Sequence, residues 1–184
     1  MNKYTFEDFE AAVVLFNRCC GSKVCSDEYT TEENLAIIRK QARIIQEEIN
    51  ELALAMIDGD KVEMIDAVAD VTYTVAWLGR MDVEDYIDDS MKSWLTSINE
   101  IIRAGVEPIS DDQFMTALER VATNNAMKFT TDVALARQWE SNSVEGYKMS
   151  SVEVEGVIYY CLKDNNGKVR KWNDFPKVDL SDLV

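Results

Sequence analysis

With 184 residues the chain has room for one ordinary domain, residues 1–184, and not for two sizeable ones. Its 34 Asp and Glu against 19 Lys and Arg give a formal charge of -15, which disfavours a nucleic-acid binder and means that phosphate chemistry would need metal cations to offset the charge. The absence of His removes Ser-His-Asp and Cys-His mechanisms and His-ligated zinc, while 47% hydrophobic residues argue against disorder and only 7 Gly and 2 Pro favour long helices over a turn-rich sandwich or barrel.

Phe6, Phe9, Val13 and Phe16 fall at helical spacing and predict a short helix from about Phe6 to Arg18, ending near Gly21. After a polar loop to Tyr29, Thr30-Thr31-Glu32-Glu33 reads as a capping box, with Thr30 as N-cap and Glu33 reaching back to it. Leu35, Ile38, Ala42, Ile45, Ile49, Leu52 and Met56 then alternate three- and four-residue steps. That is the buried stripe of a long helix ending at Asp58-Gly59-Asp60. A second helix from Lys61 to Leu78, with Ile65, Ala69, Thr72 and Ala76 on one line, follows at once, so the two form an antiparallel hairpin. Further helices are expected over about Val83 to Arg103 and, after a break at Pro108 and a Ser110 cap, over Asp111 to Ala126. A shorter one covers Asp132 to Glu140.

The last stretch changes character. Val152, Val154, Val157, Ile158, Tyr159 and Tyr160 are β-branched or aromatic, and Asn165-Asn166-Gly167 before Lys168-Val169-Arg170 signals a hairpin turn, so a two-stranded ribbon is expected. The predicted fold is mainly α: a helical body over residues 1–145 with a small C-terminal β-hairpin in a tail over residues 150–184. No apolar run reaches bilayer length and MNKYTFEDFE has no signal-peptide core, so a cytoplasmic protein without membrane contact is expected. Cys19, Cys20, Cys25 and Cys161 read as reduced thiols, because a four-thiolate zinc site would want paired two-residue spacings that are missing.

The informative feature is the placement of acids on the helical hairpin. Glu47, Glu48 and Glu51 share one patch of the first helix, and Glu63, Asp66 and Asp70, at i, i+3 and i+7, share one face of the second. A tight turn can make all six converge. Like charges so close repel, and bound cations would relieve them; all-oxygen ligands suit Mg2+ or Mn2+ first and Ca2+ second. A merely solvated acidic face is the plain alternative. Against it, Glu48 and Glu51 flank the apolar stripe, and Asp66 and Asp70 are embedded among Ile65, Ala67, Val68, Ala69 and Val71, where a carboxylate is costly.

The run Arg43 to Leu52 with its E-E-x-x-E, then Gly59-Asp60, then Asp66-Ala67-Val68-Ala69-Asp70-Val71-Thr72-Tyr73 resembles the MazG-like all-α nucleoside triphosphate pyrophosphohydrolases. Arg120 to Phe129 looks like the S-N-M-x-K-F segment of a phage branch described as phosphoribosyl-ATP-pyrophosphohydrolase-like, and Lys168 to Leu180 is similar to that branch's K-x-x-x-P-P-D-L ending. Asn124 and Ala126 stand where the segment has Ser and Met. The second acidic motif fits either Glu63-x-x-Asp66 or an alignment that makes Asp70 its final acid, so the metal-binding member among Glu63, Asp66 and Asp70 stays open.

The resemblance implies hydrolysis of a nucleoside triphosphate between the α- and β-phosphates, giving monophosphate and pyrophosphate. Glu47, Glu48, Glu51, Asp66 and Asp70 would hold Mg2+, with Mn2+ as substitute, or Glu47 would instead take the proton from the attacking water. Lys128 would bind β- or γ-phosphate oxygens and Asn125 a sugar or phosphate group. Deoxynucleotides, with a lean to purines such as dGTP or dATP, are implied by viral relatives alone. The base is expected near Phe16 and Asn17. Subunits of such enzymes assemble, and Ile44 and Leu54 lie outside the buried stripe, so a homodimer or homotetramer is expected. A second reading of another class is a nonenzymatic acidic protein such as a DNA mimic, which would want its acids spread over an outer surface. A Ca2+-bound structural module is weaker, because Asp164-Asn165-Asn166-Gly167 lacks EF-hand ligand spacing.

Overall fold

The computed structural model describes residues 3–81, 83–107, 109–143 and 146–184. Among these, the helices are α1 (Phe6–Cys20), α2 (Thr31–Asp58), α3 (Lys61–Leu78), α4 (Asp89–Val106), α5 (Asp111–Ala126) and α6 (Val133–Ser141). The strands are β1 (Lys148–Val154), β2 (Val157–Lys163) and β3 (Val169–Arg170), and a single 3-10 turn spans Ser181–Leu183. The mainly α expectation therefore holds, and no described helix is long and apolar enough to cross a membrane.

The helix limits follow from local chemistry. Thr5 with Asp8, Thr30 with Glu33 and Ser110 with Gln113 form reciprocal capping boxes at α1, α2 and α5. Gly59 takes φ 68°, ending α2 in the left-handed conformation, and Asp60 at once caps α3 by accepting from the Val62 and Glu63 amides at 3.1 Å. This forces α2 and α3 into the expected antiparallel pair.

Two limits differ from the sequence reading. Helix α4 begins at Asp89 rather than near Val83, because Asp88 accepts from the Met91 amide at 2.8 Å and acts as N-cap. It runs past Arg103 to Val106, since Gly105 lets it lie against α3, where an added Cβ would meet Val68 Cγ2 at 2.9 Å. The break expected at Pro108 lies outside the described residues.

The tail also departs from the two-stranded expectation. Its sheet has three antiparallel strands in the order β1-β2-β3, and the main turn is Glu155-Gly156, both at positive φ (53° and 79°), as a two-residue hairpin requires. The Asn165-Asn166-Gly167 turn joins β2 to the short β3 instead. The sheet is anchored to the helices by a bridge between Thr130 and Tyr160, with N···O distances of 3.0 and 2.7 Å, and by Lys163 Nζ donating to the Cys20 carbonyl at 3.1 Å.

The core packs Phe9 and Val13 of α1, Ile45 and Leu52 of α2, Val68 and Val71 of α3, Ile98 of α4 and Leu118 of α5. On α2 the innermost line also carries Asn34 and Gln41. Asn34 exchanges two 3.0 Å bonds with the Ser26 backbone, and Gln41 Nε2 donates to the Thr74 carbonyl at 2.8 Å, which satisfies the buried amides. Met56, placed on the stripe by spacing, is exposed at the turn end of α2. All four cysteines are free thiols.

Candidate active site

Helices α2 and α3 bring four acids into one electrostatic neighbourhood. Asp70 lies within reach of Glu48, Asp66 and Glu51, and Asp66 within reach of Glu63 and Glu51. Burial above all, then repulsion from Glu51 and Glu47, pushes Glu48 up to about 7. Burial, then Glu48 and Asp66, likewise pushes Asp70 up to about 7, and burial followed by Glu63 raises Asp66. Glu47 and Glu63 are exposed and stand at the rim, the first beside Glu48 and the second beside Asp66.

Across from the acids stands Lys128, just past the end of α5. Its Nζ donates to Asn125 Oδ1 at 2.6 Å and lies 5.5 Å above the Phe16 ring. Burial lowers its pKa and Lys171 lowers it further, while Asp70 and Glu48 oppose the shift. Asn125 thus aims the lysine. Among the described residues, no ion pair or side-chain hydrogen bond engages the carboxylates of Glu48, Glu51, Asp66 or Asp70. Partly desolvated anions and a half-buried cation lie within electrostatic range of one another with no ion pair between them.

Two cations escaped the sequence reading as site residues. Lys171 lies within electrostatic range of Asp66 and Lys128, and Lys168 within that of Glu48. Their nearness depends on the tail folding back over the hairpin, which no local pattern encodes. Asn124 donates from Nδ2 to the Pro176 carbonyl at 2.8 Å and so ties down that tail.

A cavity of about 440 Å³ lies alongside, between the end of α1, the first half of α2 and the end of α3. Asn17, Tyr29, Gln41, Ile44 and Trp77 line it. Ile44 is one helical turn before Glu48, so the cavity approaches the acids along α2. Ile44 lines this cavity, whereas Phe16 is absent from the lining, its ring packing edge-on against Tyr73 and Phe129 at 5.6 and 5.4 Å. Asn17 is where the base was expected.

Residues 16–85 match the family model for phosphoribosyl-ATP pyrophosphohydrolase, a segment that carries all six acids. That family is of the MazG-like all-α nucleoside triphosphate pyrophosphohydrolase kind, so the matched segment, which holds α2 and α3, is similar to that superfamily. The match indicates a hydrolase acting on phosphoric anhydrides, a pyrophosphohydrolase of the MazG-like kind. No curated protein and no solved structure matches the chain.

The donor chemistry suits the hard divalent cations that phosphate hydrolysis employs: oxygen ligands only, bunched without an ion pair among the described residues. Among the described residues no three acids or thiols close on one point tightly enough to hold an ion as the side chains stand.

Proposed function

We propose that the protein is a metal-dependent nucleoside triphosphate pyrophosphohydrolase, converting a (d)NTP and water to (d)NMP and pyrophosphate. The observation that carries this reading is the opposition of Glu48 and Asp70, each raised to about 7, to a half-buried Lys128 with no ion pair between them. An anionic, metal-carrying ligand suits both sides of that opposition.

Glu48, Glu51, Asp66 and Asp70, with Glu63 at the margin, would hold Mg2+ or Mn2+. The bound ions would neutralise phosphate oxygens and acidify the attacking water. Glu47, exposed beside Glu48, takes the proton of that water. Lys128, aimed by Asn125, holds β- or γ-phosphate oxygens as a point charge. The nucleoside occupies the adjacent cavity, whose volume is in the range of small-molecule sites and leaves room for a bicyclic base, with Asn17 and Gln41 as polar contacts. Deoxynucleotides, purines among them, are the substrates the viral resemblance implies.

We further propose a homodimer or homotetramer. Leu54, Met56 and Ile57, which are 61%, 47% and 80% exposed at the end of α2, support it. The decisive experiment is a panel of the four ribo- and four deoxynucleoside triphosphates, with phosphoribosyl-ATP, each incubated with Mg2+ or chelator while monophosphate and pyrophosphate are followed. Pyrophosphate from at least one deoxynucleotide, abolished by chelator, is expected; orthophosphate release, or turnover in chelator, would overturn the reading.

A further inference from the structure

The C-terminal sheet brings cations to the site from a part of the chain outside the family match. Asp164 sorts them. Its carboxylate accepts from the Lys168 amide at 2.9 Å, which shapes the β2–β3 turn, and pairs with Arg170 through Nε at 2.9 Å and Nη2 at 2.6 Å. Arg170 is thereby neutralised. Lys168 and Lys171 form no ion pair among the described residues, yet they lie within electrostatic range of Glu48 and Asp66 respectively, and Lys171 also of Lys128.

Their placement is mechanically fixed. The Thr130–Tyr160 bridge joins β2 to the chain two residues past Lys128, and β3 is hydrogen-bonded to β2 through Leu162–Arg170 and Lys163–Val169. Beyond β3, Trp172 stacks on Trp139 of α6 at 4.2 Å, and Lys171 Nζ lies 5.3 Å from the Phe175 ring centre. Three ammonium groups from two separate elements therefore border the acidic hairpin without touching it. Mutual repulsion of such cations is tolerated most readily where an anion spends part of each cycle among them.

We infer that Lys171 and Lys168 form, with Lys128, a clamp for the terminal two phosphates of the substrate, and so for the departing pyrophosphate. This inference rests on the pyrophosphohydrolase reading above. In the reaction a water oxygen bonds to the α-phosphorus, the α–β anhydride P–O bond breaks, and its electron pair leaves on the bridging oxygen with pyrophosphate. The water proton passes to Glu47, and the lysines balance the charge gathering on the leaving group. Specificity follows: the clamp selects for a diphosphoryl group beyond the α-phosphate and leaves a monophosphate ungripped.

The test compares wild type with K171Q, K168Q, the double variant and K171R. In the double variant KM for the preferred triphosphate and the inhibition constant of inorganic pyrophosphate should both rise about 10-fold or more, with K171R partly restoring them and the inhibition constant of the monophosphate unchanged. Equal KM and equal pyrophosphate inhibition in wild type and double variant would overturn the clamp while leaving the hydrolase reading intact. If wild type hydrolyses nothing, that reading fails, and calorimetric titration of inorganic pyrophosphate with Mg2+ still decides the clamp. Binding weakened by K171Q supports it; equal binding, or none by wild type, overturns it. Thermal melting of K171R guards against a variant that fails to fold.

Discussion

Glu48 of α2 raises the pKa of Asp70 of α3 across the hairpin, after burial, which above all brings both carboxyls up to about 7, although they lie 22 positions apart in sequence (70 less 48). A site that stores this much repulsion is suited to a ligand that removes it. Stability and activity are then opposed at the same two side chains.

Replacing either acid by its amide should show both faces of that opposition. E48Q and D70N should each lower pyrophosphate release by about 100-fold or more, since a lost charge weakens ion binding without opening a cavity. In chelator at pH 8 both should melt above wild type, because the amide removes a desolvated charge. Near wild-type turnover in both variants would place the active site elsewhere.

The pH dependence of the metal-free protein has a definite sign. An unfolded chain releases the Glu48 and Asp70 protons near the ordinary values of 4.5 and 3.8, whereas the folded chain keeps them to about 7. Between about 5 and 7 the folded state holds more protons, so stability falls as pH rises and levels off above that window. The carboxylates held low, Asp8, Glu33, Asp112, Asp164, Asp179 and Asp182, act the other way, but their effect is complete by about pH 5. Melting temperatures in chelator should decline from pH 5 to 8, and Mg2+ should recover more at pH 8 than at pH 5. A flat or rising profile would contradict this account.

Gly105 to Ala tests the crossing of α4 over α3. Helix propensity alone would gain about 1 kcal/mol from the change. The new Cβ, however, would sit 2.9 Å from Cγ2 of Val68, a fully buried β-branched side chain that cannot swing away. Overpacking of this kind costs about 1–3 kcal/mol, so the clash should win and chemical denaturation should show net destabilisation. A stabilised variant would mean that the two helices separate easily.

Assembly is read by mass. Light scattering at micromolar concentration should give two or four times 21.0 kDa, and L54D with I57D should return the protein toward a single subunit. An interface on the scale of obligate ones buries about 2,000 Å² or more. An active species near 21.0 kDa would refute the proposal.

The acidic hairpin was legible because everything that makes it is local. Thr30 and Glu33 start α2, Gly59 and Asp60 turn the chain, and the three- and four-residue steps place Glu48 and Asp70 beside the core. What escaped depends on distant contacts or on less usual turn chemistry. Glu155-Gly156 lacks the Asn or Asp that advertises such a turn, so the ribbon was read with its bend at residues 165–167 and one strand too few. The stop of Ile44 against a cavity and the approach of Lys171 to Asp66 both require knowing which surface another element covers. Spacing along one helix carries no such information.

The final 3-10 turn has a bearing on how the molecule comes into being. Leu180 and Leu183 share one core with Phe9 and Val13, Arg120 grips Asp182, and Gln113 Nε2 donates to the Leu183 carbonyl at 2.9 Å. An emerging nascent chain therefore cannot seal its interior until Leu183 has cleared the ribosome, with α1 and α5 waiting half-covered for most of translation. A product cut short before Leu180 would carry an open apolar seam along α5, and cellular proteases would meet it before any nucleotide did.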